Sequence, residues 1–376
     1  MTQLIPLLGA CCAVLLAVHF VSVAIAVVRI RASASASCRD DGESVSIIRP
    51  VCGLDNFVEE TLLSSFALAH PNYEVLFCVA HDGDPAVPLV QRLIALHRHV
   101  PARLLIGNNA ISDNPKLNNI VKGWAAARHD LIIMADSNVL MPRDYIQRLI
   151  AAGRPDTGLV CSPPIGCAPQ TLSAEIECGF LNTHQARWQY VADALGIGFA
   201  QGKTMLWRRQ FLEAAGGMRA LASEAAEDAA ATKLVRRAGL RVRLVGVPFP
   251  QPLGRRRFSE VWRRQLRWAR LRRDTFKVFF IPELFTGALL PFALCLASAA
   301  AADWSLAATA LSFMAAWYGA EVALASAAGW QLSYLSVPAW MLRDLLLPLL
   351  WVASWMGDDF VWRGNVMHVA NRGSSA

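Results

Sequence analysis

Residues 5–28 contain no Asp, Glu, Lys or Arg, and this run constrains the fold more than any other feature of the chain. As a helix it is long enough to cross roughly 30 Å of hydrocarbon. Nothing basic precedes it, whereas Arg29 and Arg31 follow directly. The positive-inside bias then puts the next segment in the cytoplasm. Small residues at 32–37 offer a cleavage site for a secretory leader, but such a leader needs a basic first region and a shorter apolar core. Residues 1–6 hold neither Lys nor Arg, so the expectation is a retained membrane helix over residues 1–30.

The carboxyl-terminal third is apolar as well. Residues 284–302 and 304–320 are uncharged and separated only by Asp303, which predicts a tight transmembrane hairpin, and a third span is expected over roughly 337–356. Glu321, Arg343 and Asp344 interrupt this block. Charge in lipid is costly unless paired or close to an interface, so Arg343 and Asp344 are expected near the membrane edge. A chain of 376 residues with a mean hydropathy of +0.34 leaves room for one ordinary domain between the two apolar ends. Nine cysteines form an odd set with no C-x-x-C pair and no metal-ligand spacing. They read as core residues in a reducing compartment.

After a linker at 31–43, residues 44–254 alternate strand-like apolar runs with helical stretches, the pattern of an α/β domain. The expected strands are 46–51, 74–80, 102–107, 131–135 and 159–162. Asp84 and Asp136-Ser137-Asn138 follow two of these runs and therefore sit at strand carboxyl ends, where open α/β sheets bind ligands.

Those residue types suit nucleotide-sugar chemistry. A diphosphate leaving group calls for a divalent cation held by oxygen ligands, and Asp136 with Asn138 can provide them. One carboxylate is a modest ligand set, matched to Mg2+ or Mn2+, which take much of their coordination from phosphates and water. A single D-x-N in isolation more often caps a turn; its ordered companions lift it above that. Glu227-Asp228 opens an expected helix at 228–238. A carboxylate is favoured there by the helix dipole with no catalytic role at all, but if the acceptor is an alcohol, transfer with inversion needs a base, and Asp228 is the candidate.

Residues 255–277 contain ten Lys or Arg against Glu260 and Asp274, a net +8 that exceeds the +7 of the whole chain. Trp262, Leu266, Trp268, Leu271 and Phe276 are interleaved with the arginines, as in a basic helix lying on an anionic membrane. Nucleic acid is an unsuitable partner, because the segment adjoins membrane helices and carries no nucleic-acid-binding motif. Arg264 and Arg267 could also close over a departing diphosphate, with Trp268 as a wall of the acceptor site.

Taken together, Cys78-Val79 with Asp84-Pro85-Ala86, Asn114-Pro115-Lys116-Leu117-Asn118-Asn119, Asp136-Ser137, Glu227-Asp228 and Arg264-Gln265-Leu266-Arg267-Trp268 resemble the ceramide glucosyltransferases. These are inverting nucleotide-sugar transferases of GT-A fold with a D, D, D, (Q/R)xxRW signature. The resemblance covers about residues 45–280 and points to a bacterial-type member. It implies a Rossmann-like mixed sheet (44–254), an interfacial helix (255–282), about three carboxyl-terminal membrane helices (283–360) and a tail (361–376), in an inner membrane with the catalytic domain cytoplasmic. It also implies a UDP-hexose donor and a ceramide or related lipid acceptor. Asp84 would take the uridine or ribose side and Asp136 the metal and diphosphate. Lys116 and Gln265 would be donor contacts, Asp228 the base, and Arg264, Arg267 and Trp268 would bind diphosphate and shape the site. His184 falls where the family carries a functionally sensitive histidine, although a lone helical His is usually structural.

Two departures matter. Asp82 competes with Asp84 for the first aspartate, and Pro-Ala after Asp84 favours the latter. Gly202-Lys203-Thr204-Met205 differs from the animal-type turn, which leaves glucose, galactose and glucuronic acid as alternative donor sugars. A hopanoid or other lipid glycosyltransferase and a processive polysaccharide synthase share the motifs, the latter expected to need more membrane helices. A non-enzymatic anionic-lipid binder would be indifferent to loss of Asp136.

Overall fold

A computed structural model describes residues 4–34, 42–362 and 365–368. At its centre is a seven-stranded sheet in the order β3-β2-β1-β4-β7-β5-β8. Its strands are β1 (Val45–Pro50), β2 (Tyr73–Val79), β3 (Ala102–Ile106), β4 (Leu131–Ala135), β5 (Thr157–Cys161), β7 (Thr204–Arg208) and β8 (Arg241–Leu244). A smaller parallel sheet joins β6 (Pro164–Pro169) to β9 (Phe249–Gly254). The five expected strands occur within a residue or two of their anticipated bounds, while β6 to β9 were not anticipated.

Strands β1, β2 and β4 are buried along their whole length, as expected of parallel strands covered on both faces. They run parallel with β3, so their carboxyl ends share one edge. Strand β7 pairs antiparallel with β4, Ala135 opposite Thr204. That reversal returns the start of β7, and with it Lys203, to the edge where β4 delivers Asp136, and Asp136 N–H donates to Lys203 O at 3.0 Å.

The first helix is Leu4–Ala34, so the expected linker begins as helix; residues 35–41 lie outside the described ones. Segments 7–32 and 336–354 are long and apolar enough to cross a bilayer. The helical hairpin anticipated at 284–320 is present, but its second arm is not among the described helices that are long and apolar enough to cross a bilayer. Its first arm is a pair, Lys277–Phe285 and Leu289–Ala301, bent by 42°, and its second is the helix Leu306–Ala328. The basic segment forms the helix Phe258–Thr275. The anticipated tail contributes a strand pair, Asp359–Trp362 with Asn365–His368.

Arg343 and Asp344, expected near the membrane edge, are enclosed between helices and almost fully buried. Arg343 donates to Glu321 through both terminal nitrogens, at 2.9 and 2.8 Å, and through Nε to Asp344 at 2.9 Å. It also reaches Thr183 Oγ1 at 2.8 Å and Gly179 O at 3.2 Å. Thr183 donates to Glu321 at 2.6 Å, and Tyr318 to Asp344 at 3.0 Å. Arg187 extends the network to His19 of the first helix at 2.8 Å, where the imidazole stacks on Trp317. Mutual pairing is what makes so much buried charge tolerable. Outside the bundle, Arg29 Nε donates to Asp193 at 3.1 Å. The helical bundle is thereby bonded to the α/β domain at several points.

Candidate active site

Five acidic and basic residues, from four separate segments of the sequence, converge at the carboxyl edge of the sheet. Asn114 caps the helix Pro115–Ala126 by accepting from Lys116 N–H at 3.0 Å and Leu117 N–H at 3.1 Å. Its amide also donates to Glu227 Oε2 at 2.7 Å. So anchored, Lys116 projects its ammonium between two carboxylates, 2.7 Å from Asp136 Oδ1 and 2.6 Å from Glu227 Oε1, and donates to Gly202 O at 2.6 Å. Lys203 lies 2.9 Å from Asp136 Oδ2 and donates to Asn138 Oδ1 at 3.2 Å. Asp228, in the first turn of the helix Glu227–Arg237, accepts from Gly202 N–H at 3.1 Å.

The environment separates these carboxyls chemically. Burial would raise the Asp136 carboxyl, but Lys116 and Lys203 outweigh it and hold it down at about 2. Burial and the neighbouring Glu227 push Asp228 up to about 6, against the pull of Lys116 and the Gly202 and Ala229 N–H groups. Lys203 is lowered, first by burial and also by the charges of Lys116 and Arg264, despite Asp136. One carboxylate is thus fixed as an anion and another is poised to exchange a proton near neutrality.

Gly202 lies against the charged groups of the site. A Cβ there would lie 2.8 Å from Glu227 Oε1 and 3.2 Å from Lys116 Nζ. Arg49 is a residue of the site's framework that strand reading missed. Fully buried in β1, it donates to the carbonyls of Asp136, Ser137 and Val139 at 2.9, 3.1 and 2.9 Å, and to Thr61 O and Ser65 Oγ at 2.7 and 2.6 Å. It clamps the Asp-Ser-Asn turn. An Arg inside an apolar strand was the available signal.

Asp84 is buried, its carboxylate accepting from Gly53 N–H at 3.0 Å and Ala86 N–H at 2.8 Å, while Asp82 is exposed. Gly53 has φ +68°, a conformation in which a side chain would be strained.

The basic helix contributes on two sides. Arg264 pairs with the fully buried Glu177, which Arg256 also approaches at 3.7 Å. Trp268 packs on Ala174, Cys178, Leu181 and Leu253, fastening the helix to the domain. Gln265 is not brought to the lysine cluster: it accepts from Gln185 Nε2 at 2.9 Å and lines a crevice with His184. His184 lies in a π-helical turn, Phe180–Ala186, and its Nε2 meets Thr286 Oγ1 at 3.0 Å. Wide turns of this kind are rare and often mark functional sites. Burial, then Arg343, Arg187 and Arg272, lower the imidazole well below its ordinary range, so it is neutral.

Asp136, whose side chain is 20% exposed, and the Asn138 amide form an oxygen-only donor set. That set fits a hard divalent cation drawing its remaining ligands from phosphate and water. Among the described residues no three His, Cys, Asp or Glu side chains converge as a self-sufficient metal site.

Comparison with known proteins places the chain in a family. The model of glycosyl transferase family 21 matches residues 14–375. Ceramide glucosyltransferase 1 of Caenorhabditis elegans is 24% identical over 328 residues, 85% of this chain and 70% of the relative. Ceramide glucosyltransferase of Komagataella phaffii is 31% identical over 196 residues, 46% of this chain and 38% of the relative. Among solved structures, a mannosyltransferase from Pyrobaculum calidifontis in complex with GDP-Man and Mn2+ superposes with a TM-score of 0.50 at 18% identity, covering 90% of this chain and 99% of its own. That likeness is one of fold, the GT-A nucleotide-sugar-binding architecture.

Proposed function

Because the chain belongs to glycosyl transferase family 21, we propose that it transfers a hexose, glucose in the first instance, from a UDP-sugar to the primary hydroxyl of ceramide with inversion, giving a β-glycosylceramide. The observation that carries this reading is the pairing of a permanently ionised Asp136, wedged between two lysines, with Asp228 raised to about 6 beside it. In the proposed reaction the acceptor oxygen bonds to the anomeric carbon as the bond from that carbon to the diphosphate oxygen breaks. The acceptor proton passes to Asp228. Lys116 and Lys203, with Arg264 close enough to act on Lys203, stabilise charge growing on the departing UDP, and such preorganised charge is the strongest lever on the barrier.

Mg2+ or Mn2+, held by Asp136 and Asn138, would neutralise diphosphate charge when bound. Asp84 would hold the uridine or ribose side. In this reading residues 44–254 are the cytoplasmic catalytic unit at a bacterial inner membrane, with 255–282 lying along the bilayer. Two apolar helices, and Arg29 and Arg31 just after the first, support that orientation.

The test is UDP release by detergent-solubilised full-length protein with UDP-glucose, Mg2+ or Mn2+, and ceramide, hopanoid or diacylglycerol, with Asp136→Ala as control. Ceramide-dependent release that the variant loses supports the reading. Release with another lipid moves the acceptor, and no release with any lipid refutes it.

A further inference from the structure

Each of the side-chain oxygens proposed to hold a divalent cation already faces an ammonium group. Lys116 Nζ stands 2.7 Å from Asp136 Oδ1, and Lys203 Nζ stands 2.9 Å from Asp136 Oδ2 and 3.2 Å from Asn138 Oδ1. The two lysines are not equivalent. Lys116 also pairs with Glu227 at 2.6 Å and donates to Gly202 O at 2.6 Å, so it keeps two partners when Asp136 is taken from it. The two side-chain oxygens that Lys203 holds are both ones that a metal would use.

Lys203 cannot withdraw far. Its carbonyl accepts from Asp136 N–H at 3.0 Å, where β7 begins beside the end of β4, so the ammonium is tethered next to the carboxylate at high effective concentration. The Asp-Ser-Asn turn is equally fixed, because Arg49 holds the carbonyls of Asp136, Ser137 and Val139. Mg2+ binds oxygen at about 2.1 Å. A dication bridging Asp136 Oδ2 and Asn138 Oδ1 would therefore bring its charge close to Lys203 Nζ in a partly buried site, and like charges at such range disfavour joint occupancy. A diphosphate resolves the conflict: its oxygens give the displaced ammonium a new anionic partner and the metal further ligands.

We infer that Lys203 is a tethered cation that competes with the divalent metal for Asp136 and Asn138, so that metal binds together with the nucleotide diphosphate and not ahead of it. The inference rests on the reading of Asp136 and Asn138 as metal donors for a UDP-sugar. It adds a second part to the one Lys203 plays toward diphosphate charge: the lysine reaches the phosphate by giving up the carboxylate, and the metal takes its place there. Lys203 thereby sets the order in which metal and donor arrive.

The test measures Mn2+ binding directly, from loss of the free-ion EPR signal, on full-length protein in detergent with and without UDP, corrected for Mn2+ held by UDP alone. Unaltered protein should bind Mn2+ more tightly with UDP than without. Lys203→Met should bind Mn2+ in the absence of UDP about 10- to 100-fold more tightly than the unaltered protein, the worth of a hydrogen bond to a charged group. Lys203→Ala gives the same comparison should the methionine variant fail to fold. Lys203→Arg keeps the charge and should show no such gain, and adding Asp136→Ala to Lys203→Met should abolish it, which places the ion at this turn. Equal Mn2+ affinity of the uncharged variants and the unaltered protein without UDP would overturn the inference, as would an equal gain in Lys203→Arg. Either result leaves the metal reading standing if UDP still promotes Mn2+ binding that Asp136→Ala removes. No Mn2+ binding by the unaltered protein even with UDP would overturn both.

Discussion

Lys116 Nζ lies 2.7 Å from Asp136 Oδ1, joining the helix that follows β3 to the turn that follows β4. The same nitrogen reaches Glu227, so a single side chain holds two of the acidic motifs in register. Replacing Lys116 with Met should lower kcat/KM for transfer by about 100- to 1000-fold, as when one preorganised charge is removed from a reaction centre. Lys116→Arg should not restore it, because a planar fork does not fit between two carboxylates spaced for a point charge. Steady-state UDP release decides both.

The pH profile should carry an acid limb belonging to Asp228. A base must be ionised, and burial with Glu227 raises this carboxyl to about 6, so kcat should fall about tenfold per unit once the pH drops below that value. Asp136, held at about 2, stays ionised throughout and adds no limb. Asp228→Asn should abolish turnover while UDP-sugar binding, measured by calorimetry, persists. Substantial residual transfer would remove Asp228 from the role of base.

Gly202→Ala should cost activity without unfolding the protein. The added Cβ would crowd Glu227 Oε1 and Lys116 Nζ, displacing the groups that define the site, and misplacement of this kind costs about 100-fold. Thermal unfolding within a few degrees of the parent, together with a large fall in kcat, is the expected pair of results.

Arg343→Met should destabilise by about 3–5 kcal/mol, because it strands Glu321 and Asp344 in a buried setting. Arg92→Ala breaks only an ion pair whose side chains are 56% and 60% exposed, and should fall within about 1 kcal/mol of the parent. Thermal melts of both variants in one detergent give the comparison.

What could be read from residues alone follows the reach of the forces involved. Strand β4 is a continuous apolar run ending in the Asp-Ser-Asn turn, so periodicity and turn chemistry located it to the residue. Strands β6 and β9 each contain prolines, which argue against a central strand; they exist because each pairs only with the other, away from the main sheet. Lys116, Asp136 and Asp228 were nameable from motifs. That Lys116 bridges Asp136 and Glu227 depends on the antiparallel return of β7 and on the Gly202 backbone, neither of which has a local signature. Likewise, Arg343 and Glu321 looked like isolated charges in apolar helices until packing brought them together.

The bonds from Arg343 to Gly179 O and Thr183 Oγ1 make the wide turn that carries His184 depend on a guanidinium from the bilayer-crossing region. The α/β portion is therefore not a self-contained module. Cut free at residue 254, it would retain the lysine cluster but lose the external clamp on that turn, and grafted onto foreign anchors it would inherit whatever geometry they imposed.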